Sequence, residues 1–250
     1  MRLEKWYADR VSGNAVEIEY LARLQLGPLI VSYSGEVGRG RRSRVRIGRT
    51  GIAMPCVENG RLYWHRDGVN QPWTWRNAHQ RPITLWRDAR NSVVWNPVVL
   101  NGQTTESDPN RPGRGYAEVL TLDIAPWRLG IDALKWGRFC GERHSLVWIE
   151  WQGRFPRKLA LLDGEEQVLI SADRTDICTA HARLRIADLR EIVQEPLGAG
   201  ALQALGPLRG IATGRFLSGV ETKWLASGEL ECEGDAIDHG SVVFEEVIWQ

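Results

Sequence analysis

The chain is poor in the residues that build metal sites and cross-links. Its four cysteines, Cys56, Cys140, Cys178 and Cys232, lie far apart in 250 residues, with no Cys-x-x-Cys or Cys/His spacing. That excludes a zinc ribbon and predicts free thiols. An excess of charge of either sign is lacking too: 32 Lys plus Arg stand against 31 Asp plus Glu, so no global field selects nucleic acid or an anionic membrane as partner. The opening MRLEKWYADR has no apolar leader core, and no apolar run is long enough to cross a bilayer; a cytoplasmic protein without a membrane span is the expectation. There is no G-x-S-x-G elbow, and the glycine-rich pieces GRGRR and GAGALQALG lack the strand-to-helix setting of a phosphate loop. No fixed-period repeat or heptad is visible. Neither a metal nor a cofactor is expected.

What is present is alternation. Val16–Leu26, GPLIVSYSGEV, RLYWHRDG, SVVWNPVVL, YAEVLTLDI, SLVWIEW and VVFEEVIW read as short strands bounded by Gly, Asn or Asp-Gly turns. Asp163-Gly164 joins two alternating runs as a hairpin, and Asp67-Gly68 is a second turn signal. In the basic run Gly38–Arg49, Arg44 and Arg46 alternate with Val45 and Ile47, which fits an edge strand with one wet face. Only Ile186–Leu197 carries a helical period, stopped by Pro196. The polar segment Gly102–Gly115 reads as a surface loop. The fold class is all-β and antiparallel, with helix below about one fifth of residues.

Aromatic bulk is concentrated in mid-chain. Nine of the twelve tryptophans lie between Trp64 and Trp151. They either fill the cores of β barrels or line a cavity in which ring faces hold an apolar ligand and stabilise a cation. Trp64, Trp95, Trp136 and Trp148 are the candidate lining residues, with Arg138 on the face of Trp136 if KWGRF is extended.

One carboxylate stands out. In an extended GYAEVLTL, Glu118 shares its face with Tyr116, Leu120 and Leu122. A carboxyl in apolar surroundings favours its acid form and can donate a proton. The competing reading is a structural ion pair, for instance with Arg138. Glu150, which shares a face with Leu146 and Trp148, and His144 are the second candidates for an acid/base partner.

The segments SVVWNPVVLNGQ, GRGYAE, PWRL, LKWGRF, LVWIEWQG and FEEVIW resemble the lipocalin-like family that groups carotenoid 1,2-hydratase (hydroxyneurosporene synthase) with AttH-type proteins. The resemblance spans roughly residues 60 to 160 and the C-terminus. It implies two consecutive calycin barrels, here residues 1–110 and 111–250, and proton-initiated hydration or cyclisation of an unactivated alkene with no cofactor. In the same terms Glu118 occupies the place of the signature's acidic residue, with Tyr116 beside it. GYAE stands where the hydratases carry an Asp-His-Asn cluster, so the resemblance does not extend to a carotenoid substrate. Three readings remain: a cofactor-independent hydratase or cyclase acting on an apolar, terpenoid-like molecule; a non-catalytic carrier of an apolar ligand; and an interaction protein whose aromatics only pack.

Overall fold

The computed structural model describes residues 1–37, 42–48, 51–64, 73–76, 78, 81–103, 113–198 and 214–249. Asp67-Gly68 and most of the polar loop before Gly113 lie outside them. The chain forms two compact units, Met1–Arg128 and Leu129–Gln250.

The first unit holds β1 (Arg2–Ser12), β2 (Ala15–Leu26), β3 (Leu29–Val37), β4 (Arg42–Gly48), β5 (Cys56–Glu58), β6 (Arg61–Trp64), β7 (Trp73–Arg76), β8 (Ile83–Arg87), β9 (Ser92–Gln103) and β10 (Arg114–Leu122). The second holds β11 (Ile131–Gly141), β12 (Ser145–Gly153), β13 (Arg157–Leu162), β14 (Glu165–Gln167), β15 (Leu169–Ala172), β16 (Asp176–Thr179), β17 (Ala182–Pro196), a short helix α1 (Gly214–Ser218), β18 (Val220–Cys232) and β19 (Asp238–Ile248). Every strand pairing is antiparallel.

Both units share one feature: the first strand pairs with the last. In the first unit the order is β4-β3-β2-β1-β10-β9-β8, with β5-β6-β7 as a separate small sheet. In the second it is β14-β13-β12-β11-β19-β18-β17-β16-β15. There the two ends of the sheet, β14 and β15, are separated in the chain by Val168 alone, and β15 lies against β12 and β13. The sheet therefore curls round on itself, which protects the edges an open meander would expose. This is the antiparallel, lipocalin-like β-barrel fold.

The expected hairpin at Asp163-Gly164 is present between β13 and β14. Both residues have positive φ, 51° and 87°, as a two-residue turn matching strand twist requires. The basic segment forms β4, at one edge of its sheet, as its alternation indicated. Two expectations are corrected. Ile186–Leu197 lies mostly in β17, a 15-residue strand, not a helix. Its register slips between Ala187 and Arg190, and Asp188 turns to φ 54°, which breaks the strand period and mimics a helical one. The unit boundary falls after Arg128, not at 110/111, because β10 is the closing strand of the first sheet.

Candidate active site

β1 and β10 carry the same short pattern. Tyr7-Ala8-Asp9 runs antiparallel to Tyr116-Ala117-Glu118, in a register that sets Tyr7 opposite Glu118, Ala8 opposite Ala117 and Asp9 opposite Tyr116. Alternation then does the sorting. Ala8 and Ala117 join the apolar cluster of the unit, with Trp6, Leu21, Leu62, Trp64 and Trp75. The two phenols and two carboxylates fall together on the opposite face.

These groups bond in pairs. Tyr7 Oη donates to Asp9 Oδ2 at 2.9 Å, and Tyr116 Oη donates to Glu118 Oε2 at 2.7 Å. Trp95 Nε1 donates to the same Glu118 oxygen at 2.5 Å. Trp95 reaches it because β9 is bulged: Ala117 pairs with Val99 while Glu118 pairs with Pro97. The extra residue puts the neighbours Val98 and Val99 both into the core and leaves Trp95 on the face of Glu118. Tyr7 packs edge-on against Tyr20, with centroids 5.4 Å apart, and is tilted against Tyr116 at 6.2 Å. Lys5 Nζ lies 5.3 Å over the Tyr20 ring.

Asp9 and Tyr116 are wholly enclosed, whereas Glu118 is half-buried. Burial first, then the Glu118 carboxylate and the Asp9 charge, push the Tyr116 hydroxyl well above the usual phenol range, against a smaller opposing effect of Trp95. Tyr116 is thus a neutral donor at any physiological pH. Both donors converge on one oxygen, Oε2, of a carboxyl able to carry a proton. As that proton leaves, the charge left behind is met by two hydrogen bonds already in place, which strengthens the acid.

The other sequence candidates are distributed elsewhere. Trp64, fully buried, sits on the opposite face, its Nε1 donating to Glu19 Oε2 at 2.7 Å and its ring edge-on to Trp6 and Trp75. In the second unit Trp136 and Arg138 do share a face of β11. Arg138 is fully enclosed, its Nη1 donating to Ser241 O at 3.1 Å and Oγ at 3.0 Å. Beside them Lys223 is enclosed between Glu221, at 2.7 Å, and Glu245. Trp148 points the other way, into the apolar core with Phe139 and Phe244. Glu150 is paired with Lys158 at 3.2 Å and Lys135 at 3.8 Å. His144 ties turns together, Nδ1 lying 2.8 Å from Asp163 and Nε2 3.6 Å from Asp235.

Sequence reasoning missed Tyr7 and Asp9. The available signal was the repeated Tyr-Ala-acid triplet. Among the described residues no cluster of His, Cys, Asp and Glu could hold a metal ion, and no helix is long and apolar enough to cross a membrane.

No family model matches the chain, and no curated protein matches it. Solved structures do. CghA with Sch210972 is similar at 8% identity and TM-score 0.56, over 100% of this chain and 89% of that one. CghA in a second structure gives 9% and 0.55, over 100% and 88%. A Nitrosomonas europaea protein designated AttH gives 12% and 0.50, over 98% and 92%. At identities this low the likeness is one of fold, and it extends across both units.

Proposed function

We propose that the chain is a cofactor-independent enzyme of the hydratase or cyclase kind, acting by acid catalysis on an apolar, alkene-bearing small molecule at the Tyr7–Asp9–Tyr116–Glu118 face. The observation that carries this reading is a half-buried carboxyl set among aromatic rings with two donors fixed on one of its oxygens. Glu118 gives its carboxyl proton to the alkene. The hydrogen bonds from Tyr116 and Trp95 tighten as the carboxylate forms, so they are stronger in the transition state than before it. The tyrosine and tryptophan rings offer their π faces to the developing cation. Water then adds to the cation, or a second alkene of the substrate closes a ring on it, and the Glu118 carboxylate takes back one proton, from the added water or from the carbon beside the new cation, which restores the acid. The fold supports the reading, since CghA, which shares it, was solved with Sch210972.

The test is conversion in deuterium oxide of farnesol, geranylgeraniol and retinol, read by mass spectrometry. The parent is expected to yield products that carry deuterium at carbon, either with the mass of one added water or isomeric with the substrate, and Glu118→Gln to yield neither. Binding without conversion by the parent replaces the enzyme reading with the carrier reading.

A further inference from the structure

Asp9 lies directly opposite Tyr116 and diagonally from Glu118 on the same face, and diagonal neighbours in an antiparallel pair stand about 7–8 Å apart. It is fully enclosed, so salt and water do little to screen its charge. The Tyr116 hydroxyl feels both carboxylates, which places Asp9 within electrostatic reach of the Glu118 cluster. Among the described residues, the groups on the face of Glu118 include Tyr7, Asp9 and Lys5 from β1, Tyr116 and, beyond it, Arg114 from its own strand and Trp95 from β9, with Tyr20 of β2 beyond Tyr7. Trp95 and Tyr116 favour the Glu118 anion, and Lys5 adds a positive charge on that side. All three favour loss of the Glu118 proton. Asp9 supplies the opposing charge.

We propose that Asp9 is a positioning residue, whose enclosed negative charge holds the exchangeable proton on Glu118 until substrate takes it. The proposal rests on the reading of Glu118 as the acid. It gives the paired Tyr-Ala-acid triplets distinct tasks: one carboxyl half-buried and exchanging, the other enclosed and fixed by the Tyr7 hydroxyl.

The experiment is a titration that needs no substrate. Protein labelled with carbon-13 at the glutamate carboxyl is followed by NMR, and the Glu118 signal is assigned by its loss in Glu118→Gln. In Asp9→Asn the Glu118 midpoint is expected to fall by about one to two pH units, the size of a unit charge at this range in a partly screened site. Asp9→Glu should restore it, and the Tyr116 hydroxyl, followed by ultraviolet absorbance, should ionise at lower pH in Asp9→Asn. A folded Asp9→Asn whose Glu118 midpoint is unchanged or raised overturns the proposal. Should Asp9→Asn not fold, Tyr7→Phe keeps the charge while removing its donor. Its Glu118 midpoint should stay near the parent's, and a fall of about one unit overturns the proposal. Failure of the functional reading looks different: parent and Glu118→Gln then show equal turnover whatever the titration gives.

Discussion

Glu118→Gln separates a catalytic carboxyl from a structural one. The amide keeps the shape and an oxygen able to accept from Trp95 and Tyr116, but it has no acidic proton to give. Turnover should therefore fall by about a hundredfold to ten-thousandfold, the usual worth of a positioned acid. Stability should change little. A hydrogen bond to an ionised acceptor contributes about 1.5–3 kcal/mol and one to a neutral acceptor about 0.5–1.5. Two such bonds at 2.5 and 2.7 Å bound the loss at about 2–3 kcal/mol for an ionised Glu118, and the loss is smaller for the protonated acid that the catalytic reading requires. A net cost of about 1–2 kcal/mol corresponds to a melting temperature lower by about 2–8 °C in a chain of this length. A buried ion-pair partner behaves oppositely, costing about 3–5 kcal/mol when removed while chemistry elsewhere continues. The assays are product formation from apolar alkenes and thermal unfolding on the same preparation. Full turnover in the variant, or a melting point lower by well over 10 °C, refutes the assignment.

Three further outcomes follow from the geometry. Asp238 accepts from the backbone N–H of Glu142, Arg143 and His144 at 3.1, 3.1 and 2.8 Å; burial pushes its pKa up, but those donors and the Arg143 charge outweigh burial and hold it below the ordinary carboxylate range. A carboxylate lowered on folding adds stability above its unfolded value, about pH 4, and loses it as pH falls through the folded value. Asp238→Asn should flatten that part of the acid-unfolding curve, and an unchanged curve speaks against a stabilising role for these three hydrogen bonds. A Cβ at Gly137 would lie 2.2 Å from Trp148 Cζ2 and 2.7 Å from Phe244 Cβ, so Gly137→Ala should cost about 1–3 kcal/mol in urea unfolding; a neutral result means the indole has room to move. Retinol, fatty acids or terpenoids bound at the Trp95 face should quench tryptophan emission and raise the melting temperature. No change with any of them counts against both the enzyme and carrier readings.

The legible parts of this molecule are those that alternation and turn chemistry encode locally. Asp163-Gly164 announces its hairpin because few dipeptides accept positive φ twice. Glu118 is legible as a carboxyl on an aromatic face because Tyr116, Leu120 and Leu122 keep a period of two. β17 misleads for the complementary reason: from Ala187 to Glu191 its side chains are exposed, so burial enforces no alternation and the bulged register scatters what remains.

Asp9 was hidden by distance along the chain, not by weak local signal. Tyr7-Ala8-Asp9 alternates as clearly as Tyr116-Ala117-Glu118, but a lone aspartate near a tyrosine usually sits on a solvated strand. Only the first-to-last strand pairing, joining residues more than a hundred positions apart, puts Asp9 beside a second carboxyl. That pairing is a property of the whole sheet, and no local window encodes it. The enclosed member of the carboxyl pair is therefore the one a sequence reading loses, while the half-buried member, flanked by its own tyrosine, is the one it finds.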